Sequence, residues 1–279
     1  MKSIGFYLTG YKGLKVLEDI ANTHIIKFVV AYGDFYDEIK SFCNMMNISL
    51  YNSNTILSHL EAEKILFIGW QYLVEPQDNF VVLHDSDLPI YTGFCPTVTA
   101  LTVLDSTLGV TAFKPTKKVD DGLIYGRKTQ RISYPIKIKE ALEIVSILSC
   151  KLIREIIETN VEPYDNSERK FLTIGSIWRD ELDYFINWNK EPIFIKAFVD
   201  AVGYPYSGAK TWAPHLITIH EVEPMFNFNI EDRFHEHVGK LWSIENDEPI
   251  VVCRSGAIKI KKYDGLRITK LRTRLGCKQ

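Results

Sequence analysis

The sequence predicts an α/β protein with an open, mostly parallel sheet, followed by a smaller β-rich domain. Three observations carry this expectation. Short apolar runs such as "IGFYL", "ILFIG" and "FVVLH" alternate with amphipathic helical stretches through the first half of the chain, the pattern of right-handed βαβ units. A long helix with one apolar face closes that half. Further on, period-two alternation broken by turns takes over, as in a small barrel or sheet.

Taken in order, Ile4 to Leu8 reads as a buried strand ended by Thr9 and Gly10. "GLKVLEDIAN" then sets Leu14, Leu17 and Ile20 or Ala21 on one helical face. "IIKFVVAY" reads as strand, "FYDEIKSFCNMM" as helix, and Ile65 to Gly69 and Phe80 to His84 as two further strands. A helix starts near Pro96, and "GVTAF" and "LIYG" supply more strands. From Ile138 to Glu158, Leu142, Val145, Leu148, Leu152 and Ile156 form the stripe of the long helix. The polar, proline-bearing "NVEPYDNSERK" reads as a linker. The expected organisation is an N-terminal domain over 1–160, a linker and helical segment over 161–212, and a C-terminal β-rich domain over 213–279. The strands of that last domain come from "HLITIHEVE", "GKLWSIE", "PIVVCRS" and "AIKIKKY".

Composition narrows the function classes. With 46% hydrophobic and 24% charged residues over 279 positions, the chain reads as an ordinary soluble protein. Thr9 and Gly10 break the first apolar run too early for a secretory signal, and "ILFIGWQYLV" is about half the length that spans a bilayer. A cytoplasmic protein with no membrane partner is expected. The five cysteines are scattered with no C-x-x-C pair, so reduced thiols are expected rather than a zinc or redox site. A net charge of -2 offers nucleic acid nothing in bulk. The stretch after Ile258 differs: eight basic residues, Lys259 and Lys261 among them, face the single acid Asp264. Such lysines suit either the solvated face of a strand or an RNA-binding surface.

The chemistry concentrates where a strand ends. "VVLHDSDLPIYTG", residues 81 to 93, sets His84, Asp85, Ser86 and Asp87 between an apolar run and a Pro/Gly turn. In open α/β sheets ligands bind outside the carboxyl ends of the strands, and His84 is at such an end. Downstream, "KPTKKVDDGLIY" puts Asp120 and Asp121 in a turn before another strand. A histidine beside a carboxylate suits proton transfer and stabilisation of an oxyanion. A strand-end histidine flanked by turn-solvating aspartates is the structural alternative.

These residues resemble the formyltransferases that use 10-formyltetrahydrofolate. That family's motif of histidine, serine, Leu-Pro and glycine matches His84, Ser86, Leu88, Pro89 and Gly93, and its later Asp-x-Gly matches Asp120 and Gly122, 36 residues after the histidine. The segments "SIWRDELDYFINWNKEPIFIKAFVDAVGYPYSGAKTW" and "GKLWSIENDEPIVVCRSGAIKIKKYDG" resemble the linker and small barrel of members acting on nucleotide-linked amino sugars. The resemblance implies a Rossmann-like catalytic domain and a homodimer working in surface-glycan synthesis. It gives His84 and Asp120 the catalytic roles, with Asp121 capping the turn. It also implies a folate site of Trp70, Tyr72, Leu73, Val74, Asp120 and Ile124, with no metal. Ser86, Gly93, Trp178, Asp183, Tyr184 and Trp188 are the implied substrate contacts, although aromatics at that density also suit a packed core.

Two positions depart from the family pattern. An asparagine usually stands two residues before the histidine, where its amide supports the oxyanion; here that residue is Val82. Asn79 is the candidate to replace it if the backbone bends. Thr92 stands where an arginine is usual. Methionyl-tRNA formylation and a non-catalytic folate or nucleotide-sugar binder are the rival readings. Glycinamide ribonucleotide formylation fits less well, because that enzyme type lacks such a C-terminal domain. A metal site at His215 and His220, or at His235 and His237 around Glu236, is the weakest alternative.

Overall fold

The computed structural model describes residues 2–159, 161–177, 179–228, 236–271 and 273–276. The chain divides into two compact units. Unit 1 comprises Met1–Thr97, Thr107–Ile132 and Glu140–Trp178; unit 2 comprises Val98–Ser106, Ser133–Lys139 and Arg179–Gln279.

Unit 1 is built on a seven-stranded sheet. Its strands are β1 (Ile4–Leu8), β2 (Ile26–Ala31), β3 (Ser49–Asn52), β4 (Lys64–Ile68), β5 (Phe80–His84), β7 (Thr107–Phe113) and β8 (Ile124–Arg131), in the order β3-β2-β1-β4-β5-β7-β8. The first five run parallel, β7 is antiparallel to β5, and β8 is antiparallel to β7. All five residues of β1 are buried, so this strand reads as an unbroken apolar run rather than an alternation. Helix α1 (Gly10–Ala21) buries Leu14, Val16, Leu17 and Ile20. Helix α2 (Tyr36–Met45) buries Ile39 and Cys43, the short α3 (Pro96–Thr102) follows further along the chain, and most of α4 (Ile138–Thr159) also lies in this unit, burying Val145, Leu152, Ile153 and Ile156. The order reverses at β1, with β2 on one side and β4 on the other, which marks the switch point where such sheets take ligands.

The short strand β6 (Ile90–Gly93), absent from the sequence reading, pairs in parallel with β9 (Ile174–Ser176). The stretch after α4 that reads as a linker is tied down inside unit 1. Tyr164 and Ile124 exchange backbone hydrogen bonds of 2.8 and 2.9 Å, and the Asn166 amide donates to the Leu88 carbonyl.

Unit 2 holds a five-stranded antiparallel sheet of β10 (Ala209–Trp212), β11 (Leu216–Met225), β12 (Leu241–Glu245), β13 (Glu248–Cys253) and β14 (Gly256–Asp264), in the order β10-β11-β14-β13-β12. Helix α5 (Pro192–Ala201) packs on β11 and β14. The end of the chain reaches both sheet edges: Trp212 N–H donates to the Gly276 carbonyl at 2.7 Å, and Leu241 N–H to the Thr273 carbonyl at 2.9 Å. Bridging two edges with one segment gives the expected barrel-like closure and removes the open edges that sheets must otherwise protect.

Of the cysteines, Cys43, Cys150 and Cys253 are buried and Cys95 is partly exposed. Burial pushes the Cys43 thiol up to about 11 and Cys150 to about 12, which keeps them unreactive. Cys277 lies outside the described residues.

Candidate active site

His84 is the last residue of β5, opposite Thr111 of β7, and only 8% exposed. Its Nδ1 lies 3.4 Å from Asp120 Oδ1 and its Nε2 lies 2.8 Å from the Tyr91 carbonyl oxygen. A carbonyl only accepts, so Nε2 carries a proton in this arrangement. The imidazolium satisfies both contacts, and the neutral ring satisfies one. The two sequence motifs therefore meet, and the pair can hold and release a proton between ring and carboxylate.

Backbone conformation brings Asp120 there. It adopts φ +48°, a left-handed turn conformation that aspartate tolerates better than most residues. Two residues on, Gly122 has φ +151°, and a Cβ there would lie 1.9 Å from the Lys114 carbonyl oxygen, so only glycine closes the loop. Asp121 caps the turn, as expected: its carboxylate accepts from Thr116 Oγ1 at 3.2 Å and its carbonyl from Thr116 N–H. The second oxygen of Asp120 accepts the Gly93 N–H at 2.5 Å. Gly93 has φ +102°, and a Cβ would lie 2.2 Å from the Ser176 carbonyl oxygen. Gly93 thus acts through its backbone, fixing Asp120.

The two other aspartates of the loop are held by cations that no sequence pattern reveals. Asp85 pairs with Lys12 of α1, itself 5% exposed. Asp87 takes a bidentate grip from Arg169, both bonds 2.8 Å, with Arg127 Nε 3.4 Å away. Each partner is distant in sequence, and no local pattern links them. Between the two aspartates, Ser86 is 3% exposed; its carbonyl accepts from Thr111 Oγ1 at 2.7 Å, while its own Oγ is buried with no partner among the described residues.

The departure at Val82 is a structural one. Val82 packs against Leu88, Phe113 and Ile124 and points to the same face as His84, two residues away. Asn79 does not replace the missing amide, which corrects the sequence expectation. It precedes β5, roughly 16 Å along the strand from His84, and its amide donates to the Ala62 carbonyl at 2.9 Å.

The folate-site candidates divide. Trp70 sits edge-on to Tyr7 and Tyr32, each with ring centroids 5.1 Å away, and its indole N–H is buried with no acceptor among the described residues. Burial, with Tyr72 alongside, pushes the Tyr32 hydroxyl up to about 12. Tyr72 and Leu73 are exposed, at 48% and 65%. Val74 instead turns into the core with Tyr7, Phe67 and Phe80. Ile124 is buried, with its backbone amide and carbonyl committed to Tyr164. An exposed apolar wall over an indole donor lacking an acceptor fits a planar, hydrogen-bonding ring.

The substrate candidates of unit 2 are engaged in contacts within that unit. Trp188 is 4% exposed and its indole donates to Thr211 Oγ1 at 3.1 Å. Asp183 closes a capping box, accepting the Asp180 N–H at 2.8 Å. Tyr184 lies under the Lys210 ammonium at 5.6 Å. Trp178 lies outside the described residues. Among the described residues no group of three His, Cys, Asp or Glu side chains could hold a metal, and no helix is long and apolar enough to cross a membrane. His220 pairs with Asp264 at 2.8 Å and His237 Nδ1 with Lys240 at 2.7 Å; His235 lies outside the described residues.

Fold and site together define a protein with the fold of the formyltransferases, and residues 180–269 match the family described as "Formyl transferase, C-terminal domain". Among solved structures, the chain is similar to an N-formyltransferase from Helicobacter canadensis, in complex with folinic acid and dTDP-3-aminofucose. The identity is 14%, covering 95% of this chain and 100% of that one, with a TM-score of 0.67. A sugar 3N-formyltransferase, crystallised with dTDP and 5-N-formyl-THF, matches at 15% identity over 93% of this chain and 97% of that one, TM-score 0.65. Among curated proteins, a methionyl-tRNA formyltransferase from Thermosipho melanesiensis is 22% identical over 80% of this chain and 73% of its own length.

Proposed function

We propose that the chain is a formyltransferase that moves a formyl group from 10-formyltetrahydrofolate to the amine of a nucleotide-linked amino sugar. The observation that carries the reading is the buried contact of His84 with Asp120 at the carboxyl edge of the sheet. The solved relatives bound to dTDP or a dTDP-linked amino sugar support the substrate class. A cytoplasmic homodimer serving surface-glycan synthesis, with the catalytic domain within residues 1–160, completes the reading from the resemblance.

Trp70, Tyr72 and Leu73 would hold the folate, which when bound supplies an activated formyl carbon. The rest is the work of this chain's groups. His84 Nε2 leaves the Tyr91 carbonyl and offers its N–H where negative charge gathers on the formyl oxygen. Asp120 keeps the ring oriented and supports its charged form through Nδ1. The proton lost by the attacking amine would pass to the His84–Asp120 pair directly or through water, and the pair would return it to the donor's leaving nitrogen as the bond from that nitrogen to the formyl carbon breaks. With Val82 in place of an amide, His84 carries the oxyanion without that helper; one such donor is typically worth about a hundred- to a thousand-fold in rate.

Methionyl-tRNA formylation is the second reading, favoured by the name of the curated relative. Against it, Lys259 pairs with Glu245 at 2.9 Å and Lys261 with Glu248 at 2.6 Å. These are solvated strand contacts that leave less charge for phosphates. Both readings are tested by incubating the protein and 10-formyltetrahydrofolate with a panel of nucleotide-linked amino sugars and, in parallel, with methionyl-tRNA. Mass spectrometry then reads the products, with His84→Ala as control. A formyl mass gain on one sugar that disappears in His84→Ala is expected. A gain on the tRNA alone would select the second reading, and no gain on any acceptor would leave a binder.

A further inference from the structure

Two of the groups that hold the catalytic pair are backbone groups of one loop in unit 1, and that loop is strained. The Tyr91 carbonyl meets His84 Nε2, and the Gly93 N–H meets Asp120 Oδ2. Tyr91 adopts φ +57° and Gly93 φ +102°. A left-handed tyrosine is costly, and it persists only where its surroundings over-determine it. Beyond Gly93 the loop is fixed by the pairing of β6 with β9 and by the Phe94 N–H, which donates to the Ser176 carbonyl at 2.9 Å. Before Tyr91 the fixing point is Asp87. Its carbonyl accepts the Ile90 N–H at 3.1 Å, closing the turn that launches β6, and its carboxylate takes both 2.8 Å bonds from Arg169. Charge-assisted, two-bond contacts of this kind are roughly twice as strong as neutral ones and set an orientation as well. The neutral contacts beside it are longer: the Asn166 amide reaches the Leu88 carbonyl at 3.4 Å and the Ile174 N–H the Pro89 carbonyl at 3.3 Å. Arg127 does not duplicate the grip. Its terminal nitrogens donate to the Tyr164 hydroxyl and the Asn166 side-chain oxygen, and its Nε lies 3.4 Å from Asp87 without a hydrogen bond. Arg127 therefore supplies charge to Asp87, and Arg169 supplies direction.

We propose that Arg169 is a positioning residue for the catalytic pair: its two-bond grip on Asp87 fixes the turn from which Tyr91 and Gly93 reach His84 and Asp120. The effect on turnover rests on the formyl-transfer reading above, whereas the effect on the loop does not. Without the grip, the turn at Asp87 loosens and the strained Tyr91 relaxes. The carbonyl at His84 and the amide at Asp120 then shift together, because both belong to the same short strand.

The test reads amide hydrogen exchange by mass spectrometry on peptides covering residues 88–95, with peptides of β1 and β4 as the reference, together with kcat and KM for formyl transfer. In Arg169→Met, exchange over 88–95 is expected to quicken about tenfold while β1 and β4 keep their wild-type rates. In the same variant kcat should fall about tenfold, with KM for the folate and for the acceptor little changed. Arg169→Lys keeps the charge but cannot form the planar two-bond grip; exchange about threefold faster than wild type, with kcat lowered to match, is expected of it. Unchanged exchange over 88–95 in Arg169→Met would overturn the proposal. So would an equal acceleration in β1 and β4, which marks a general loosening, or an Arg169→Lys protein that matches wild type in both readings. A kcat that holds while the loop exchanges faster would likewise sink the positioning role. If Arg169→Met does not fold, Arg169→Lys decides on the same readings. Should the wild type transfer no formyl group, the formyl-transfer reading fails while the exchange arm still decides whether Arg169 holds the loop.

Discussion

At the tip of β5 and along β14 the chain uses the same chemistry, a cation against a carboxylate, in opposite surroundings. At the tip, Lys12 and Asp85 have side chains 5% and 18% exposed, and Asp87 is gripped by both terminal nitrogens of Arg169. Along β14, Glu245 and Glu223 are 55% and 61% exposed where Lys259 and Lys261 reach them. Exposed pairs of this kind contribute about 0–1 kcal/mol. Removing one member of a buried pair leaves a stranded charge and costs about 3–5 kcal/mol. The lesson is that burial, not residue type, separates a loop held in one geometry from a face that keeps the sheet solvated.

The comparison breaks most sharply at the site itself. His84→Ala is expected to lower formyl transfer by about a hundred- to ten-thousand-fold with the fold intact, measured as rate by mass spectrometry and as secondary structure by circular dichroism. Retained turnover would move the chemistry elsewhere. Gly93→Ala forces a Cβ against the Ser176 carbonyl at a φ that L-residues avoid. A loss of more than about 2 kcal/mol is expected in chemical denaturation, together with weaker transfer as Asp120 loses its backbone anchor.

Val82→Asn places an amide on the face that His84 occupies. If the vacancy limits the rate, transfer should rise by about tenfold or more, at a stability cost of roughly 1–2 kcal/mol for burying a polar group among Leu88, Phe113 and Ile124. An unchanged or slower rate would show that the site is built around valine.

Unit 2 supplies a buried acid for contrast. Asp200 of α5 is 4% exposed; burial raises its carboxyl above the usual range, against the opposing pull of Lys196 and Lys137, with Glu221 adding to the rise. The folded state therefore binds this proton more tightly than the unfolded chain does. The penalty of the charged form is fully present above the folded-state value and is relieved as pH falls toward the ordinary carboxylate range near 4. Asp200→Asn should remove that pH dependence and shift neutral-pH stability by about 1 kcal/mol, read from urea midpoints at pH 4.5 and pH 7. The smallest effect is expected of Lys259→Met, a change in the urea midpoint near the limit of detection that shrinks further in added salt.

By itself the sequence determined the longer strands and helices, while the short strands β3, β6, β9 and β10 escaped it. Apolar runs such as Ile4 to Leu8 can only be buried strands, and the period of α4 fixes its inner face. The resemblance carried by the two motifs pairs His84 with Asp120, and the folded chain sets them 3.4 Å apart. Tertiary structure alone decided what long-range packing controls. It held Asn79 at the far end of β5 and turned Trp188 into core. It turned the polar stretch around Tyr164 into a strap on Ile124, and it chose Lys12 and Arg169 as partners for the loop. The reason is physical: periodicity and turn chemistry act over a few residues, whereas a buried charge or indole settles on whichever partner the folded chain brings within reach.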